Sequence, residues 1–117
     1  MDVRDLVAAV MSRDALRARQ WMADAQRMTF DWSAVVRPDD LDALGLALAA
    51  ALVELMAQRL EVPAPAWTAS VPAAPTRVFL VGAAESLPRL RKLCETEGPE
   101  PLRRRGFLAP PDFLTAA

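Results

Sequence analysis

The sequence predicts an all-α fold of about four helices, with an irregular proline-rich C-terminal arm and room for one short strand. Apolar residues in the first half recur three and four positions apart, which is the spacing of one helix face. Residues 63–76 carry four prolines, which exclude a regular helix there. A length of 117 residues with 53% apolar content fits one domain with one core. We therefore expect a helical core over residues 1–62. Residues 63–117 should form a proline-rich arm, a short helix and a docking tail of the same compact domain.

Two helices are predicted at the start of the chain. The first has Asp2 as its N-cap and an apolar face that follows helical spacing. This face consists of Val3, Leu6, Val7, Val10 and Met11. Ser12 is either a break or a second N-cap. Asp14 would then lie in the first turn of the second helix, where a negative charge favours the helix dipole.

The longest apolar pattern predicts a central third helix over residues 41–60, with Asp40 as its N-cap. Its apolar residues repeat at seven on two sides: Leu41, Leu48 and Leu55 on one, and Leu46, Val53 and Leu60 on the other. A helix that is apolar on more than one side is enclosed by its neighbours, or it uses the second side as a homodimer seam. Phe30 and Trp32, in the connection before this helix, are predicted to fill the core.

The second half combines irregular chain with short elements. Residues 63–76 are predicted to be extended or polyproline-like. Residues 77–81 form a β-branched, apolar run that suits an edge strand, although the sequence shows no obvious second strand. A fourth helix is predicted over about residues 87–97, with Ser86 as its N-cap. Its predicted apolar face consists of Leu87, Leu90, Leu93 and Cys94. A turn or short helix at residues 100–105 leads into the tail.

The composition argues against catalysis and against a cofactor. The chain has no histidine and no tyrosine, and its single cysteine, Cys94, excludes an internal disulfide and a Cys/His zinc site. The four glycines are scattered, so the sequence has no glycine-rich phosphate loop. Asp39, Asp40 and Asp42 precede a predicted helix, where capping explains them better than a metal site. We therefore predict no enzymatic activity, no cofactor and no bound metal, and we interpret Cys94 as a buried apolar residue.

We expect the protein to be cytoplasmic. The chain opens with Asp2, Arg4 and Asp5, which do not form the basic and apolar regions of a secretion signal. Its longest uncharged stretch, Ala43 to Val53, has eleven residues, whereas a bilayer-spanning helix needs about 20. A buried core helix is the better interpretation of that stretch.

The residues that we predict to contact a partner lie mostly in the last segment. Three consecutive arginines lead into an apolar tail, and a tail without a binding role would be polar. This tail therefore docks onto its own domain or onto another protein. The predicted partner-binding residues are Trp67, Arg103, Arg104, Arg105, Phe107 and Phe113. In this hypothesis a partner groove takes Trp67 and Phe107 as anchors, with arginines at the rim.

A second hypothesis follows from the uneven charge of the chain. The net charge is −1, with −3 over residues 1–62 and +2 over residues 63–117. The basic excess lies in Arg89, Arg91, Lys92 and Arg103 to Arg105. Such a patch suits a regulatory domain that binds nucleic acid or a phosphorylated ligand. Nucleic acid is the less expected ligand, since no helix-turn-helix pattern or aromatic platform accompanies the patch.

The C-terminal half also carries a resemblance to a known family. Four elements follow one another: Pro65-Ala66-Trp67, the apolar run Val78 to Val81, the short helix Leu87 to Cys94, and the segment Pro101 to Phe107. In this order they resemble small bacterial proteins of uncertain function, some of which are encoded beside toxin-like nucleotidyltransferase genes. The resemblance covers residues 63–117 and implies an antitoxin-like or accessory protein whose surface covers a partner. Members often carry a helix-turn-helix in front, and the first 62 residues show no convincing one. The leading hypothesis is a non-catalytic protein-interaction module.

Overall fold

The computed structural model describes residues 1–115, and its helical content confirms the predicted mostly α-helical class. The helices are α1 (Val3–Met11), α2 (Ala15–Arg27), α3 (Ala43–Arg59), α4 (Pro88–Glu97) and α5 (Glu100–Arg103). The strands are β1 (Val78–Phe79) and β2 (Phe107–Leu108), and short 3₁₀ turns occupy Trp32–Ala34, Ala66–Ser70 and Gly82–Glu85. The main core surrounds α3, and a smaller cluster includes a residue of α4. Within residues 1–115, no helix combines the length and apolar character that a membrane span requires.

The junction between α1 and α2 is a break of the helix. Asp2 caps α1 as predicted, because its carboxylate accepts a hydrogen bond from a first-turn backbone N–H at 2.9 Å. The predicted face of α1 is buried at Val3, Leu6, Val7 and Val10. Ser12 ends α1, and Arg13 adopts a left-handed backbone with φ of 58°, which a continuous helix does not allow. Ser12 is therefore the break and not a second N-cap. Asp14 caps α2, and its carboxylate accepts from the Arg17 N–H at 3.0 Å.

α3 is the centre of the main core, as its two-sided apolar pattern predicted. Every residue from Ala47 to Val53 is 0% exposed, and α1, α5 and two of the 3₁₀ turns pack around the helix. The helix begins at Ala43, two residues later than predicted. The predicted N-cap, Asp40, is wrong, because Asp40 has a left-handed φ of 62°. Asp42 caps the helix instead, and its carboxylate accepts from the Gly45 N–H at 2.7 Å.

The burial of α3 also removes the surface that a homodimer seam would need. Val53, the middle residue of that seam, is fully buried, and Leu46 is half-buried. Of the three seam residues, Leu60 alone is well exposed, at 55%, and it lies just past the end of the helix. α3 therefore offers a second copy no continuous apolar face.

Phe30 and Trp32 pack into the core as predicted, together with Trp21. The three rings lie at centroid separations between 4.8 and 5.7 Å, in the edge-on and tilted arrangements that aromatic rings prefer. The indole N–H of Trp21 donates to the Asp2 carbonyl at 3.1 Å, which satisfies the polar atom of this buried side chain. The aromatic cluster thus ties α2 to the start of α1.

β1 finds its partner in the C-terminal tail. The two strands pair in parallel, with Val78 opposite Phe107 and Phe79 opposite Leu108. Gly106 precedes β2 with a φ of 87°, a backbone conformation that favours glycine. Its carbonyl accepts from the Val78 N–H at 2.8 Å. The tail therefore docks on its own chain, which is one of the two possibilities that the sequence left open.

The remaining segments follow the predictions in part. The arm over residues 63–76 is irregular, but Ala66–Ser70 forms a 3₁₀ turn and not extended chain. The short helix predicted near residue 100 is α5. Ser86 does not cap α4, because Leu87 occupies the N-cap position without a side-chain hydrogen bond. Leu87 is also 53% exposed, so it does not belong to a buried helix face.

Cys94 is fully buried, which confirms its interpretation as a core residue. It lies in the smaller cluster with Ala84 and Leu108, against which Phe79 and Leu90 pack. Burial raises the pKa of the Cys94 thiol. The thiol is therefore protonated and unreactive at neutral pH.

Candidate protein-interaction surface

Trp67 is half-buried against the main core, on the 3₁₀ turn that packs against α3. Its indole N–H donates to the Val35 carbonyl at 2.8 Å. This hydrogen bond links the proline-rich arm to the connection between α2 and α3. The ring is held by packing on one side and by the hydrogen bond on its polar edge, so its orientation is fixed.

Val36 comes directly after Val35, whose carbonyl accepts the hydrogen bond from Trp67. Its side chain is 81% exposed, the highest value among the large apolar residues within 1–115. The backbone on either side of it is anchored, because Val35 packs against the main core and Pro38 is half-buried with a restricted φ. Arg37, beside it, is exposed and forms no ion pair with any residue in the described part of the chain. We refer to Val36, Arg37 and the half-buried indole of Trp67 as the Val36–Trp67 surface.

The three consecutive arginines make different contacts within their own chain. The Arg103 Nε–H donates to the Gly98 carbonyl at 2.7 Å. Arg104 and Arg105 both donate to the carboxylate of Glu54 on α3, and Arg105 also donates to the Thr68 carbonyl at 2.6 Å. We refer to Glu54, Arg104 and Arg105 as the arginine cluster. It joins α3 to the proline-rich arm and to the segment after α5.

The charge state of Glu54 reflects two opposing effects. Burial raises the pKa of this carboxyl, whereas the hydrogen bonds from Arg105 and Arg104 lower it. The lowering effect is the larger of the two, so the pKa of Glu54 lies below its ordinary value. The side chain is 10% exposed. Glu54 is therefore ionised at neutral pH and serves as the shared counter-ion of two guanidinium groups.

Two grooves adjoin the arginine cluster. One, of about 370 Å³, is lined by Glu54, Ala69, Val71, Ala73, Arg104 and Arg105. The other, of about 330 Å³, is lined by Glu54, Ala57, Gln58, Val62, Ala64, Glu100, Pro101 and Arg104. Arg104 contributes to both grooves with a half-exposed side chain. We refer to the first of them as the cluster groove.

The two phenylalanines predicted to contact a partner lie against their own chain. Phe107 is 0% exposed in the main core. It cannot anchor a partner, because its side chain is enclosed in the main core and its backbone pairs with β1; its role is corrected to that of a core residue. Phe113 is half-buried against the main core, and its carbonyl accepts from the Arg59 Nη1 group at 2.6 Å. Among the six predicted residues, Arg104 is exposed, Trp67, Arg103 and Phe113 are half-buried, and Arg105 and Phe107 are buried.

The basic patch of the second hypothesis is divided. Arg104 and Arg105 are neutralised in part by Glu54, and Arg91 lies over the Phe79 ring with 5.1 Å to its centroid. Arg89 and Lys92 are exposed on α4. The cations of the patch therefore make different contacts within the described part of the chain.

Sequence reasoning missed two residues of these sites. Glu54 is the single charged residue in the otherwise apolar stretch from Ala43 to Ala57, which is a signal for a buried ion pair. Val36 is an apolar residue next to the charged Arg37-Pro38-Asp39-Asp40 stretch, although nothing local indicates that it is exposed.

Within residues 1–115 the structure brings together no group of three or more His, Cys, Asp or Glu side chains suited to a metal ion. Comparison of the chain with protein-family models, with curated proteins and with solved structures gave no match.

Proposed function

We propose that this protein is a non-catalytic interaction module that binds a protein partner through the Val36–Trp67 surface. One observation carries the proposal. A large apolar side chain, Val36, is 81% exposed on backbone that Trp67 and Pro38 hold in place. Burial of an exposed apolar side chain in a complex contributes favourable binding free energy. Because the backbone of Val36 is already held in place, binding loses little conformational entropy.

The composition of the surface suits a protein partner. Binding energy concentrates in a few anchors, among which Trp and Arg are enriched, and the surrounding contacts exclude water. Trp67 and Val36 would form the apolar centre, and Arg37 would lie at the rim. The partner surface should then offer an apolar pocket with an acidic group beside it, since Arg37 lacks an ion-pair partner in the described part of its own chain.

The biological setting of the proposal rests on the family resemblance. Residues 63–117 resemble antitoxin-like proteins, and Trp67 is one of the residues that carry the resemblance. We therefore propose that the module is the antitoxin-like or accessory half of a bacterial protein pair. Binding of nucleic acid or a phosphorylated ligand has weaker support, since Arg103, Arg104 and Arg105 are engaged in internal hydrogen bonds.

The test compares two substitutions of matched chemistry. Val36→Asp places a charge at the centre of the surface, and Leu16→Asp places the same charge on α2, where Leu16 is 72% exposed. Both positions are exposed, so each substitution should change the free energy of unfolding by no more than about 0.5 kcal/mol. The tagged chain and both variants are purified from the native host, and the captured partner is then titrated in purified form by calorimetry.

We expect the unchanged chain and Leu16→Asp to bind the partner equally, and Val36→Asp to weaken binding by roughly tenfold or more. The proposal fails if Val36→Asp binds as tightly as the unchanged chain. It also fails if both variants lose the partner to the same extent, because the loss would then not depend on this surface.

A further inference from the structure

The arginine cluster holds more positive than negative charge. Arg104 and Arg105 share the one carboxylate of Glu54. The side chains of Arg105 and Glu54 are 6% and 10% exposed, so water screens this pair little. Glu100 lies 3.7 Å from Arg104, but its side chain is 59% exposed and solvent screens its charge. The buried pair of Glu54 and Arg105 is balanced, and the excess guanidinium charge of the cluster lies on the half-exposed Arg104.

Arg105 also has an unsatisfied donor. Its Nη groups donate to Glu54 and to the Thr68 carbonyl, but its buried Nε–H has no acceptor among the described residues. Buried donors are nearly always paired in native proteins. The geometry explains the exception, because the two oxygens of the Glu54 carboxylate accept from the Nη1 and Nη2 groups of Arg105. This end-on pairing leaves the Nε–H without an acceptor, while Oε1 of Glu54 also accepts from Arg104.

The cluster groove gives access to this charge. Its volume of about 370 Å³ is within the range of small-ligand sites. Short aliphatic side chains, Ala69, Val71 and Ala73, line it beside the two arginines. The Arg104 side chain is 50% exposed, so its guanidinium can exchange one carboxylate for another. The groove therefore combines a small apolar lining with an excess positive charge.

We infer that the cluster groove binds a monocarboxylate that carries a short apolar chain. The ligand carboxylate accepts from Arg104, and Glu54 then pairs with Arg105 alone. Two positive and two negative charges balance in that complex. A phosphate group fits less well, because its charge of about −1.5 to −2 exceeds the free positive charge and would face Glu54. The groove on the other side of Arg104 is a poorer site, since two carboxylates, Glu54 and Glu100, line it with a single arginine. This inference does not depend on the Val36–Trp67 surface.

The experiment observes the arginine Nε–H signals of the ¹⁵N-labelled full chain by NMR while sodium butyrate is added at constant ionic strength. We expect saturable shifts of the Arg104 and Arg105 signals, with a Kd in the millimolar range or below. Butyramide, the neutral analogue of butyrate, should produce no such shift. Arg104→Gln should weaken butyrate binding roughly tenfold or more, because it removes a charge-assisted hydrogen bond. Arg89→Gln, which removes an exposed arginine of α4, should leave binding unchanged.

Four results would overturn the inference: no saturation with butyrate, equal shifts with butyramide, unchanged binding in Arg104→Gln, or binding of inorganic phosphate as tight as that of butyrate. If Arg104→Gln does not fold, Arg104→Lys keeps the charge and should still weaken binding, because the planar fork is lost. Titration with acetyl-alanyl-valine, which has a free C-terminal carboxylate, then distinguishes a peptide C-terminus from a free acid as the source of the ligand carboxylate. Tighter binding than butyrate assigns the groove to a peptide C-terminus, and weaker binding assigns it to a free acid.

Discussion

Removal of the Glu54 carboxylate is the perturbation that the structure describes best. Glu54→Gln keeps the size of the side chain but leaves the guanidinium of Arg105, which is 6% exposed, without its counter-ion. Breaking a buried ion pair by removing one partner costs about 3 to 5 kcal/mol, chiefly because the remaining charge is buried without compensation. The glutamine oxygen still accepts one hydrogen bond, so we expect the lower end, about 3 kcal/mol. A domain of this size has a total stability of about 5 to 15 kcal/mol, so the loss is a large part of it.

A matched substitution on the exposed side of the same cluster serves as the control. The Arg104 side chain is 50% exposed, so its ion pair with Glu54 is screened by solvent. Arg104→Gln should therefore cost no more than about 1 kcal/mol. The contrast between the two variants tests whether burial, and not the number of ion pairs, sets the energy of the cluster.

Urea unfolding followed by tryptophan fluorescence measures both variants, because the chain has three tryptophans. In a thermal scan, Glu54→Gln should lower Tm by about 10 °C. A double-mutant cycle with Arg105→Gln should return a coupling energy well above that of the cycle with Arg104→Gln. The reasoning is refuted if Glu54→Gln and Arg104→Gln cost the same, or if Glu54→Gln costs less than about 1 kcal/mol.

Three further predictions concern pH, the core and the thiol. The folded-state pKa of Glu54 lies below its ordinary 4.5, so its stabilising contribution is complete above that pH and is lost as pH falls through the lowered value. The difference in unfolding free energy between the unchanged chain and Glu54→Gln should therefore shrink below pH 4.5, and a difference that grows there would contradict the assignment. Phe107→Ala should cost about 3 to 5 kcal/mol in urea unfolding, because it leaves a cavity in the main core; unchanged stability would restore Phe107 as a partner contact. Cys94 should react with a thiol reagent slowly in the folded chain and quickly in urea, and equal rates would show that its side chain is accessible.

The elements that the sequence predicted correctly depend on contacts within one or two helical turns. The buried face of α1 and its Asp2 cap follow from helical spacing and from a carboxylate that reaches a nearby backbone N–H. The enclosure of α3 follows from apolar residues on two of its sides. The error at its start has a local cause, since both Asp40 and Asp42 can cap a helix. The left-handed backbone of Asp40 decided between them.

The candidate site was predictable only in part. Trp67 was among the predicted partner-binding residues, and the structure places it half-buried against the main core. The hydrogen bond from Trp67 to the Val35 carbonyl joins residues 32 positions apart. No local sequence pattern therefore indicates that Trp67 anchors the backbone next to Val36. Phe107 and Phe113 were assigned to a partner because an apolar tail signals docking without specifying the surface on which it docks.

By itself, the sequence determined the helical class, the central place of α3, and the fact that the C-terminal segment must bury its apolar side chains. Tertiary structure alone decided that the tail binds its own chain through β2, that Phe107 enters the core, and that Arg104 and Arg105 meet Glu54. The physical reason is distance along the chain. Helical periodicity and capping act between neighbours, whereas the Glu54–Arg105 pair joins residues 51 positions apart, and only the folded arrangement of α3, the arm and the tail brings them together.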